Sequence, residues 1–200
     1  MRLADRIFLY LKLHIFKIYV IFYYMDSYIK LAKDTIKNYL LYNKTIEIPK
    51  DLPAEMLEQR AGIFICFKNK GELRGCIGTY LPIYENVAQE IINNTIAAAT
   101  QDHRFISVKA DELDQLKISL DILSEPERVP EEEIEKLDPK VYGVLVKSAD
   151  GFKSGLLLPD LEGIETVDEQ ISIACQKAGL NPYTENFIVY KFKVARHEEK

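Results

Sequence analysis

The stretch from Ile63 to Tyr80 constrains the fold more than any other part of the chain. Ile63 to Phe67 is a continuous apolar run of strand length, which predicts a central strand covered on both faces. Asn69-Lys70-Gly71-Glu72 is turn material, and Leu73-Arg74-Gly75-Cys76-Ile77-Gly78-Thr79-Tyr80 follows as a second strand. Strands joined by so short a turn pair antiparallel, because a parallel pair needs a long crossover. If the second strand is regular, Arg74 and Cys76 share one of its faces. A guanidinium beside a thiol favours the thiolate, the form that attacks electrophiles and binds metals. Gly75 and Gly78 contribute no side chain, so another backbone or a substrate can approach closely there.

The remaining pattern supplies helices and further hairpins. Ile29, Ala32, Ile36, Tyr39 and Leu40 follow helical spacing behind Asp26 or Ser27 as N-cap. Ile48 to Pro53 is extended or loop, since each proline restricts its predecessor, and Ala54 to Arg60 predicts a short helix. Pro82 opens a helix to about Thr100. Leu116, Ile118, Leu120 and Ile122 alternate with polar residues, as in a half-buried strand. Pro126 and Pro130 mark a connector, and Glu131, Glu132 and Glu133 suit the first turn of a helix, where carboxylates complement the dipole. Val144 to Val146 and Gly155 to Leu158 flank Asp150-Gly151, a second hairpin. Thr166-Val167-Asp168-Glu169 is a capping box for a helix that stops at Gly179. Phe187 to Val194 alternates as a last strand. Hairpins and helices without repeated βαβ units imply an α+β fold with antiparallel sheet.

Composition excludes several functions. The net charge of −5 argues against a nucleic-acid binder, which needs a basic surface to displace counterions. Three cysteines, Cys66, Cys76 and Cys175, form no CxxC pair, which argues against a disulfide framework and suits a reducing, cytoplasmic setting. Cys66 and Cys175 sit on apolar stripes and are expected as core residues. Of His14, His103 and His197, two fall in expected terminal extensions, so neither a His-based metal centre nor a cofactor is expected. In residues 1–24, charges interrupt an apolar, aromatic-rich stretch, and its longest uncharged run, Ile18 to Met25, is far short of the roughly 20 residues of a spanning helix. This segment is expected to lie outside the folded domain, with Met25 as the natural start; the rival is an amphipathic segment on a membrane or partner surface. Asp102-His103-Arg104-Phe105 offers titratable groups that folding could bring to Cys76. No GxGxxG, Walker loop or HExxH is present.

Leu73-Arg74-Gly75-Cys76-Ile77-Gly78-Thr79 resembles the hallmark motif of the AMMECR domain family. Asp102 with Arg104-Phe105, Gly155-Leu156-Leu157-Leu158-Pro159 and Lys177-Ala178-Gly179-Leu180 resemble further elements of that family in the same order. The resemblance runs from about Met25 to the end. It implies a two-lobed α+β fold, with a larger lobe of about 25–124 and 186–200, a smaller lobe of about 125–185, and a cleft between them. It implies Arg74, Gly75, Gly78, Asp102 and Arg104 as binding residues, with Cys76 as the candidate catalytic group. Tyr142 stands where many relatives carry histidine, so a histidine there is not universal to the family's chemistry, and His103 stands where many carry proline, which makes it a poor choice for an essential base. Prokaryotic members, also called AmmeMemoRadiSam system protein A, accompany a Memo-like protein related to extradiol dioxygenases and a radical-SAM enzyme. The resemblance assigns no reaction. It favours an accessory or substrate-presenting protein that holds a large or protein substrate in the cleft. The alternative is a cysteine-dependent enzyme with Cys76 as nucleophile. Nucleic-acid binding ranks last.

Overall fold

The computed structural model describes residues 26–199; the proposed start at Met25 and the segment before it lie outside these residues. Helix α1 (Ser27–Tyr42) begins where the Asp26 carboxylate accepts the N–H groups of Tyr28 and Ile29. Helix α2 (Ala54–Glu58) leads to strands β1 (Ile63–Asn69) and β2 (Glu72–Gly78). Helix α3 (Val87–Thr100) precedes a 3-10 turn and strand β3 (Leu116–Leu123). Strands β4 (Glu127–Arg128), β5 (Gly143–Ser148) and β6 (Ser154–Leu157) follow, then helix α4 (Val167–Ala178) and strands β7 (Phe187–Phe192) and β8 (Val194–Glu198).

These strands make two antiparallel sheets. One has the order β2-β1-β3-β8, the other β4-β7-β5-β6. Helices α1 and α3 cover one face of the first sheet, where Ile63, Ile65, Phe67, Ile118 and Leu120 are buried with Leu31, Ile36 and Ile91. Helix α4 covers the second sheet, burying Val144, Val146, Leu157 and Val189 against Ile171, Ala174 and Cys175. Gly155 admits this contact, because a Cβ there would meet the Ala174 carbonyl and the Ala178 backbone. A third cluster, Leu123, Leu145 and Phe192 with Phe64, Tyr80, Leu156 and Leu158, joins the sheets.

Four expectations need correction. Helix α3 starts at Val87 rather than near Pro82: Asn86 caps it by accepting the Gln89 N–H, and the fully buried Glu90 carboxylate accepts the Ile83 and Tyr84 N–H groups, holding that segment as a loop. The residues after Pro130 form a 3-10 turn, Glu131–Lys136. The last strand divides at Lys193, so the chain returns to the first sheet at Val194 rather than at 186. The division has a cause: Ser124 and Lys193 bond each other, Ser124 N–H to the Lys193 carbonyl at 2.9 Å and Lys193 N–H to the Ser124 hydroxyl at 3.0 Å, which ties the two crossings between sheets together. Finally, His197 lies on β8, with Nδ1 2.5 Å from the Asp26 carboxylate and its ring 4.2 Å from that of Tyr28, so it braces the start of α1 rather than trailing in an extension.

Candidate functional site

The signature strand β2 is the free edge of its sheet. Its register against β1 pairs Cys66 with Cys76 and Phe67 with Gly75, but Lys68 with Leu73, so Arg74 is an extra residue, a β-bulge. The regular alternation expected of Arg74 and Cys76 therefore breaks. Gly75 is buried against α3, where a Cβ would collide with the Ala98 carbonyl. Gly78 is filled by the Ile63 carbonyl and Phe64 in the same way. Both glycines thus admit neighbouring parts of this chain.

Arg74 turns along the edge to Glu112 in a two-pronged pair, Nε to Oε2 at 2.8 Å and Nη2 to Oε1 at 2.9 Å. Its Nη1 also donates to the Ile106 carbonyl at 2.8 Å. The carboxylate that partners Arg74 is thus Glu112, not the signature's Asp102. The Arg74 hydrogen bonds hold the Glu112 carboxyl below the usual carboxylate range, helped by the Lys109 N–H. Nothing in the spacing marked Glu112, which lies 38 residues away in an acidic stretch.

Asp102 and Arg104 do converge on Cys76, but on its backbone. Asp102 Oδ2 accepts the Cys76 N–H at 2.8 Å, and Arg104 Nη2 donates to the Cys76 carbonyl at 3.2 Å. The two are themselves paired, Arg104 Nε to Oδ1 at 2.9 Å and Nη2 to Oδ2 at 2.7 Å. The Arg104 hydrogen bond holds the Asp102 carboxyl far below its ordinary value, and the Cys76 N–H contributes in the same direction. His103 between them is exposed. The turn takes the place of a neighbouring strand for one residue of the edge.

That clamp has a consequence for the side chains. Cys76 spends its N–H and C=O outward, so the Cys66–Cys76 pair is of the non-hydrogen-bonded kind, in which opposed side chains are closest. The Cα atoms are 4.1 Å apart and the two sulfurs are joined in a disulfide. Because Gly75, Ile65 and Phe67 face the helices, Cys66 and Cys76 occupy the other face of the sheet, where both are half-buried. The expectations of no disulfide and of a core Cys66 are overturned. One signal was available: Cys66 and Cys76 lie equally far from Gly71 in the predicted turn. Cys175 is a core residue as expected, fully buried and free, its thiol pushed up by burial.

Among the described residues, no group of three or more His, Cys, Asp or Glu is arranged to hold a metal ion, and no helix is long and apolar enough to cross a membrane. Tyr142 lies with its ring 5.3 Å from both Lys191 Nζ and Lys193 Nζ, and its carbonyl accepts from Gln170.

Two antiparallel sheets with flanking helices, and a bulged cysteine edge strand clamped by an Asp-x-Arg turn, define a class of α+β protein. The chain belongs to the AMMECR1 family, whose model matches residues 29–197. It is 49% identical over 172 residues to a Thermotoga maritima protein, covering 86% of this chain and 97% of that one. A Clostridium acetobutylicum protein is 46% identical over 175 residues, and the match covers 87% of this chain but only 36% of that protein. The crystal structure of protein PH0010 from Pyrococcus horikoshii superposes with a TM-score of 0.78 at 35% identity, covering 86% of this chain and 90% of that one.

Proposed function

We propose that this chain is an accessory or substrate-presenting protein that works with a Memo-like protein and a radical-SAM enzyme, holding its ligand between the lobes near Arg74 and Cys76. One observation carries the reading. Each charged group of the signature is already spent on this chain: Arg74 on Glu112 and the Ile106 carbonyl, Asp102 and Arg104 on each other and on the Cys76 backbone. A cysteine nucleophile needs a positioned base, and the nearest titratable groups hold backbone instead. A rigid, internally satisfied edge suits docking better than proton transfer. The Clostridium relative, in which the matched region is a minor part of a longer chain, supports a domain that works beside others. The outward-facing side of Arg104, whose side chain is half exposed, is the natural contact.

Calorimetric titration of this chain with the Memo-like protein and the radical-SAM enzyme of its own organism tests the reading. Binding to either with Kd of about 10 μM or tighter, weakened by Arg104→Glu, is expected. Absence of heat and of co-elution with both partners would overturn it.

A further inference from the structure

We propose that Cys66 and Cys76 form a reversible thiol–disulfide pair, with Cys76 as the attacking thiol and Cys66 as the resolving one, that exchanges with low-molecular-weight disulfides. The inference stands apart from the accessory reading, since it concerns the chemistry of two sulfurs and needs no protein partner.

Four features of the site lead to it. First, the β1–β2 ladder opposes the two cysteines directly, with Cα atoms 4.1 Å apart, so the same backbone register serves the dithiol and the disulfide. Second, both residues are half-buried on the sheet face away from α1 and α3, unlike the sealed Cys175. Third, the Cys76 backbone is pinned at both its N–H, by Asp102 at 2.8 Å, and its carbonyl, by Arg104 at 3.2 Å, which holds its side chain opposite that of Cys66. Cys66 sits one strand further in, at the centre of the sheet. Fourth, Cys76 lies on the outermost strand, so a small disulfide that passes over this sheet face from its rim meets Cys76 before Cys66.

The exchange balances without an added oxidant beyond that disulfide. The Cys76 thiolate attacks one sulfur of RSSR, forming a Cys76–S–S–R bond and releasing RS⁻. The Cys66 thiolate then attacks the Cys76 sulfur, forming the Cys66–Cys76 bond and releasing a second RS⁻. The two protons of the original thiols pass to the released thiolates. The protein is oxidised by two electrons and RSSR is reduced to two RSH. Excess RSH reverses both steps. In a compartment that thiols keep reducing, the pair rests as a dithiol, and oxidation withdraws the Cys76 sulfur from reaction.

The test equilibrates folded full-length protein in glutathione buffers of varied reduced-to-oxidised ratio, followed by brief alkylation of the folded protein, acid quench and peptide mass spectrometry. Cys66 and Cys76 are expected to pass together from both alkylated to neither, while Cys175 is labelled only after denaturation. With oxidised glutathione, Cys66→Ser should accumulate a stable mixed disulfide at Cys76, and Cys76→Ser should form one at Cys66 about ten-fold more slowly. Labelling of Cys66 and Cys76 that ignores the glutathione ratio, as permanent thiols or as a permanent disulfide, overturns the proposal. Equal rates in the two serine variants overturn the assignment of Cys76 as the attacking thiol. Should either variant fail to fold, the titration of the unaltered protein still decides.

Discussion

Arg74 and Asp102 show how a motif can be conspicuous in sequence and inward-looking in structure. Removing Arg74 strands the Glu112 carboxylate and the Ile106 carbonyl, and a hydrogen bond to a charged group is worth about 1.5–3 kcal/mol. In urea unfolding, Arg74→Ala and Glu112→Ala should therefore be coupled by about 1–3 kcal/mol, whereas Arg74→Ala and Asp102→Ala should add. Coupling only in the second pair would contradict the geometry. Asp102 carries a pH signature of known sign. Its folded pKa lies below the unfolded value because of the Arg104 hydrogen bond, so the unfolded chain binds more protons in acid. Its contribution is fully present above about pH 4 and is lost as pH falls further, towards the folded value. Glu112 moves the same way. The Tm advantage of the unaltered protein over Asp102→Asn should shrink as pH falls below about 4; a difference constant with pH would mean that the Asp102 charge is not what stabilises the clamp. The sequence showed that these residues belong together but not how, because one inserted residue in a strand redirects Arg74 without altering the apolar pattern.

At the scale of elements, the hairpin was legible and its edge was not. An unpaired edge strand exposes N–H and C=O groups that invite further pairing. Here the Asp102-x-Arg104 turn, at the end of α3, satisfies those of Cys76. That pairing spans 26 residues and a helix, a separation at which side-chain-to-backbone bonds leave no periodic trace. Helix α3 was legible in its apolar length but not in its start, since Asn86 and Glu90 act through single hydrogen bonds. The disulfide adds a testable increment. Its cysteines are 10 residues apart, and closing so short a loop removes chain entropy worth up to about 3 kcal/mol. For a chain of this size, that is a fall in Tm of about 6–12 °C on reduction. Cys66→Ser should show the same loss and no further response to reductant. Identical Tm values with and without reductant would mean that the bridge contributes nothing to the folded state.

Across the whole molecule, neither sheet order nor the joint between sheets could be read from local pattern. Both depend on where the chain crosses, and the second crossing hides inside what alternates as one strand from Phe187 to Val194. The dispensability of residues 1–24 remains a proposal on the same scale: since the family match begins at residue 29, a chain beginning at Met25 should keep its Tm within a few degrees, and a larger fall would show that the segment belongs to the fold. The joint makes a stronger demand. Leu123 from the first sheet and Leu145 and Phe192 from the second are all buried in one cluster, and the paired crossings at Ser124 and Lys193 prevent either lobe from separating freely. Two bodies that share apolar core and covalent crossings should lose structure together, so calorimetry should record one transition whose calorimetric and van't Hoff enthalpies agree. Phe192 is the place to break that coupling: it is 1% exposed, its ring fills the space beside Gly143, and truncation of a buried phenylalanine costs about 3–5 kcal/mol. Phe192→Ala should lower Tm by about 6–20 °C and separate the transition into two, the second sheet melting first because β7 lies at its centre. Two resolved transitions in the unaltered protein would instead show that the shared cluster is too weak to unite the lobes.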